Sequence, residues 1–121
     1  MMTAPVDRLV FVYNADGGIA QGIMDSVHKL VSPGTYACSL CAITHGVLRM
    51  DPKWWAWLAT LPMPVAFVHK DELAVALPGL TIALPAVVVE RGAMRTVVVD
   101  AERLASLGSV DALIAELERL L

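Results

Sequence analysis

Charge is scarce in this chain of 121 residues. Lys, Arg, Asp and Glu make up 17% of it, nine basic against twelve acidic, for a net charge of −3. The basic residues are scattered and form no stripe. That excludes a general binder of the phosphate backbone, so no nucleic-acid partner is expected. Long apolar runs are also missing: Pro, Gly, Lys or Asp interrupts every stretch before the roughly 18–20 residues a spanning helix needs, so no membrane span is expected. The opening "MMTAPVDRLVFVY" lacks the basic n-region, long apolar core and small-residue cleavage site of a secretory signal, and the expectation is a cytoplasmic protein. Neither G-x-G-x-x-G nor a P-loop lysine accompanies the paired Gly17 and Gly18, which argues against a nucleotide cofactor. Cysteine is reduced to two residues, Cys38 and Cys41. In a reducing compartment such a pair is not a permanent staple; redox or metal chemistry is the better expectation.

Apolar residues, in contrast, reach 57%. A chain of this length makes one domain, residues 1–121, and buries about two thirds of its unfolded surface without staples. The apolar excess also suits a self-association surface and hence a homodimer.

The order of elements can be read from periodicity. "RLVFVY" (8–13) is a nearly continuous apolar run and predicts a strand buried on both faces. "NADGG" (14–18) turns the chain. Ile19, Ile23, Val27 and Leu30 then fall at helical intervals, and "SPG" (32–34) ends that helix. A second helix is expected from Thr35 or Tyr36 towards Met50. "DPKWWAWLATL" (51–61) starts a third, with Asp51 as N-cap and Pro52 at the first helical position. Its inner stripe is Trp54, Trp57, Leu58 and Leu61, leaving Trp55 outward. "PVAFVHK" (64–70) predicts a second strand, and residues 71–83 a short helix followed by a loop at Pro78-Gly79. "LPAVVVERGAMRTVVVD" (84–100) predicts an antiparallel hairpin turning at Arg91-Gly92-Ala93. Ser109 caps a final amphipathic helix to Leu121, with Val110, Leu113, Ile114, Leu117 and Leu120 on one face.

Strand, helical crossover, strand, hairpin and closing helix resemble the thioredoxin-like layout. The expected fold is therefore α/β and three-layered, with a central mixed sheet of about four strands. "ALPAVVV" resembles the segment of that fold in which a proline, often cis, precedes the third core strand. Ordinary thioredoxins carry CxxC directly after the first strand. Here "NADGG" stands there, and the pair comes about two dozen residues later in an added helical segment.

Three stretches carry a closer resemblance. "VYNADGG" (12–18), "HKLVSPGTYACSLC" (28–41) and "FVHKDEL" (67–73) resemble the landmarks of a group of small bacterial proteins of uncharacterised activity. That group is marked by "YNAD" after the first strand, an "HK…SP.TY.C.LC" block and an "H.DEF"-like stretch. The resemblance spans roughly residues 10–90. It implies that His28, Cys38, Cys41 and His69 are the positions of interest, and it implies no particular activity. Leu73 stands where the group carries an aromatic, and His45 where tyrosine is more usual.

Cys38, Cys41 and His45 are spaced i, i+3, i+7 and share one face of a helix. In the first turn of that helix, outward N–H groups and the dipole stabilise a thiolate at Cys38. That favours thiol–disulfide exchange with a protein thiol partner, Cys38 attacking and Cys41 resolving, with His28 or His69 assisting proton transfer. The same atoms suit a metal. His28, Cys38, Cys41, His45 and His69 offer thiolates and imidazoles for zinc or copper(I), with Asp71 or Glu72 orienting a ring. The plain alternative is a pair of buried thiols acting as small hydrophobes on a core stripe.

Overall fold

β1 (Arg8–Val12) forms where the sequence is apolar on both faces, and Leu9 to Val12 are completely buried. It lies inside a four-stranded mixed sheet of order β2-β1-β3-β4. The computed structural model describes residues 6–14, 40, 44 and 51–121. The expected helices over 19–31 and 35–50 therefore lie outside the described residues, except that Leu40 and Thr44 are both helical and buried.

α1 (Pro52–Leu58) starts as its sequence dictates: the Asp51 side chain accepts from the Lys53 backbone N–H at 2.8 Å, and Pro52 opens the first turn. Trp54 is fully buried while Trp55 is 68% exposed, the division expected from the helical spacing. β2 (Val65–Val68) pairs in parallel with β1, Leu9 beside Val65 and Val12 beside Val68. The expected strand over 64–70 is longer than the observed one. It stops because His69 takes up the N-cap of a 3-10 turn over Lys70–Glu72, whose N–H and carboxylate groups bond back to it. The short α2 (Leu73–Ala76) follows.

The hairpin is where the β-branched runs place it, with β3 (Ala86–Arg91) and β4 (Met94–Val99) joined through Gly92-Ala93. Gly92 has φ 59°, which only glycine adopts without strain. β3 runs antiparallel to β1, Val12 beside Ala86, and a cis Leu84–Pro85 peptide immediately precedes it.

Alternation along the strands sends side chains to two faces. Leu9, Phe11, Tyr13, Val87, Val89 and Val99 pack with Leu40, Trp54, Leu104, Leu113 and Leu117. Val10, Val12, Val68 and Val88 pack with Leu77 and are flanked by Leu73, Leu80, Ile82 and Leu84. The connection between β2 and β3 thus covers one face, and the helices cover the other. Among the described residues no helix is long and apolar enough to cross a membrane.

Residues 101–107, to which the apolar periodicity assigns nothing, form α3 (Ala101–Leu107). Asp100 caps its start, accepting from Arg103 N–H at 2.8 Å, and Gly108 ends it at φ 72°. α4 (Val110–Leu120) follows, capped by Ser109 as expected. Its Glu116 side chain is nearly buried and accepts from Arg103 of α3, and from Arg119 at 2.5 Å. The two guanidiniums, Arg103 foremost, hold the carboxyl down to about 2 against an ordinary value of 4.5. A carboxyl whose folded value is depressed stabilises the fold above its unfolded value, and that contribution disappears as pH falls through the folded one. Thermal unfolding across pH is expected to show Glu116→Gln less stable than the parent above pH 4.5, the two converging as pH approaches 2. A constant difference down to pH 2 would remove the clasp from the acid response.

Candidate functional site

The parallel pairing of β1 and β2 brings their C-terminal ends to one edge of the sheet, where open α/β sheets present ligand sites. Tyr13 and His69 meet there. The Tyr13 N–H donates to the Val68 carbonyl at 2.8 Å, and the rings of Tyr13 and His69 are 5.6 Å apart at 46°. Because Ala86 pairs with Val12, the cis-Pro85 reaches the same edge. An unbroken row of rings runs from it across this face of the sheet, through the partly exposed Phe67. Tyr13 stacks on Phe67 at 6.1 Å, Phe67 on Phe11 at 5.6 Å, Phe11 meets Trp54 edge-on at 5.1 Å, and Trp54 stacks on Trp57 at 5.3 Å. Each contact lies within the spacing at which aromatic pairs attract. His69 thus stands at the outer end of a rigid apolar support.

His69 is held from its other side by Glu72. One carboxylate oxygen, Oε1, accepts from the His69 backbone N–H at 2.9 Å and contacts its Nδ1 at 2.7 Å. These bonds, the backbone one first, lower the Glu72 pKa. The two residues are one 3-10 turn apart, so the pairing needs no long-range contact. Asp71, the other carboxylate expected to orient an imidazole, is not the one bonded to His69. The His69 side chain is 37% exposed, and among the described residues its Nε2 forms no hydrogen bond.

Tyr13 also connects this edge to the segment that carries the cysteines in sequence. Leu40 and Thr44 flank Cys41, and Leu40 belongs to the same buried cluster as Tyr13. The Thr44 hydroxyl donates to the Leu40 carbonyl at 2.8 Å, and the Thr44 carbonyl accepts from Asp51 N–H at 2.8 Å. Burial pushes the Tyr13 phenol well above its ordinary pKa, with a hydrogen-bonding contribution from the Thr44 side chain acting in the opposite sense. The phenol is therefore a neutral hydroxyl at any physiological pH, a polar point within an apolar surround.

Of the residues expected to carry chemistry, His69 is the one the structure describes. His28, Cys38, Cys41 and His45 lie outside the described residues. Among the described residues no three His, Cys, Asp or Glu side chains are grouped to hold a metal ion. Tyr13 and Thr44 were not among the expected site residues. Their signal was weak: Tyr13 reads as the last apolar residue of a strand, and Thr44 as one more position on a helix.

No family model matches the chain, and neither a curated protein nor a solved structure is significantly similar to it.

Proposed function

We propose that this chain is a thiol–disulfide exchange protein on a thioredoxin-like scaffold, with its CxxC pair displaced into the segment between β1 and α1. The strand order, the antiparallel β3 and the cis-proline before it support the scaffold. The observation that carries the site is the burial of Leu40 and Thr44, one residue before and three residues after Cys41 in sequence, with Leu40 in the Tyr13 cluster and Tyr13 in ring contact with His69. Leu40, next to Cys41 in sequence, thus shares a core cluster with the residue that backs the His69 imidazole, which supports the reading.

The reaction is a two-electron exchange with a protein disulfide. The Cys38 thiol gives its proton to an imidazole, His69 or His28, and the thiolate attacks one partner sulfur. The partner's S–S bond breaks, a Cys38–partner S–S bond forms, and the first partner thiolate leaves. The imidazolium returns its proton to that first thiolate; Cys41 then attacks the Cys38 sulfur and expels the second partner thiolate, which takes up the proton that Cys41 gives up. The chain ends as a Cys38–Cys41 disulfide and the partner as a dithiol.

The arrangement of His69 supports a second reading. A carboxylate on one ring nitrogen, with the other left as a lone pair, is the usual preparation of a metal-binding histidine. His69 would then join Cys38, Cys41 and His28 or His45 around zinc or copper(I), as a carrier, sensor or structural site.

Elemental analysis and thiol titration of freshly purified protein separate the two. Exchange predicts two alkylatable thiols that titrate together as one reversible two-electron couple, without bound metal. Stoichiometric zinc or copper after chelator-free purification selects the metal site. Thiols that resist alkylation in the folded protein, with no metal, overturn both.

A further inference from the structure

We propose that Glu72 is the positioning residue of this edge: it fixes His69 as the Nδ1–H tautomer and so reserves the Nε2 lone pair for an incoming proton or a soft metal ion. The argument begins with an asymmetry of hydrogen-bonding capacity. An ionised carboxylate only accepts. Its contact with Nδ1 at 2.7 Å therefore puts the hydrogen on Nδ1, and the Glu72 backbone N–H, the donor near that nitrogen, is directed to the His69 carbonyl at 2.9 Å. The neutral ring then carries its lone pair on Nε2, the form opposite to the one an unrestrained imidazole prefers.

Geometry makes the arrangement rigid. The same Oε1 also accepts the His69 backbone N–H at 2.9 Å, so the carboxylate is anchored to the residue whose ring it directs. The Tyr13 ring, 5.6 Å away, backs the imidazole, and Tyr13 is itself buried and stacked on Phe67. Backbone anchor, carboxylate and aromatic wall leave one ring nitrogen to react. The use made of that lone pair rests on the exchange reading given above; the tautomer does not.

The test is long-range 15N–1H NMR on the full chain labelled at its three histidines, recorded on the neutral rings in alkaline buffer, with His69 assigned by the signal lost in His69→Gln. The parent is expected to show the Nδ1–H pattern at His69. Glu72→Gln keeps it, because the amide oxygen accepts both bonds, whereas Glu72→Ala moves His69 to Nε2–H. Thiol alkylation by iodoacetamide, measured on the same samples, is expected to slow in Glu72→Ala and to be restored in Glu72→Gln. An Nε2–H pattern in the parent overturns the proposal without any variant having to fold, as does Nδ1–H retained in Glu72→Ala. A tautomer that switches while the alkylation rate stays constant upholds the positioning role and removes His69 from the thiol chemistry.

Discussion

Trp54→Ala is expected to remove about 3–5 kcal/mol of folding stability, the range for truncating a fully buried large aromatic. Trp54 has no exposed surface. It meets Phe11 edge-on at 5.1 Å and stacks on Trp57 at 5.3 Å, so its loss empties the junction between α1 and the central strand. The cavity is hard to close, because Phe11 is held in the sheet between β2 and β3, and α1 is fixed at its start by Asp51. A domain of this size has about 5–15 kcal/mol in total, so the variant gives up roughly a fifth or more of it. Urea unfolding followed by far-UV circular dichroism measures the difference, and the melting temperature should drop by more than roughly 10 °C. Trp54→Phe provides the internal comparison. Among the described residues the indole Nε1–H has no hydrogen-bond partner. Its removal therefore leaves no acceptor orphaned there, and the phenylalanine variant should lose much less than the alanine one. Equal losses in the two would mean that the indole nitrogen, not the packing, holds the junction.

That core was largely legible in the sequence, for physical reasons. β1 and the hairpin announce themselves through uninterrupted apolar or β-branched runs; β1 and β3 are buried as such runs demand, whereas β4, at the edge of the sheet, is exposed from Met94 to Val97. Asp51-Pro52 and Ser109 are local signals acting within one helical turn, and both caps form as expected. α3 was not legible. Its apolar content is mainly Leu104 and Leu107, too little for a periodicity, and its place depends on Arg103 reaching Glu116 on α4. Strand β2 ended early for a similar reason. The strand was expected to run to Lys70, but the apolar residues end at Val68 and Glu72 captures the His69 N–H that a longer strand would have used. At the site, Glu72 was foreseeable because it lies three residues from His69. Tyr13 and Thr44 were not, since they are separated by 31 positions and are related only through the tertiary fold.

Cys38→Ser is expected to reduce disulfide exchange to the background rate, while Cys41→Ser leaves the first step intact and traps its product. The asymmetry follows from the order of events. Serine has no thiolate at neutral pH, so without the Cys38 sulfur no S–S bond to the partner forms. Without Cys41, the Cys38–partner bond forms but nothing expels the second partner thiolate, and the mixed disulfide accumulates. Mass spectrometry under acid quench, with a disulfide-bonded model protein as partner, reads this directly as an adduct in Cys41→Ser that is absent from Cys38→Ser. Position 38 precedes the buried Leu40 by two residues in sequence and position 41 follows it by one, so unfolding midpoints must accompany the rates. Similar stabilities with opposite adduct behaviour would assign the attacking and resolving sulfurs. An adduct in both variants would make the thiols equivalent and end the ordered mechanism. A joint collapse of stability, with loss of zinc, would move both sulfurs to a metal centre, because a site that loses one of four ligands loses folding free energy as well.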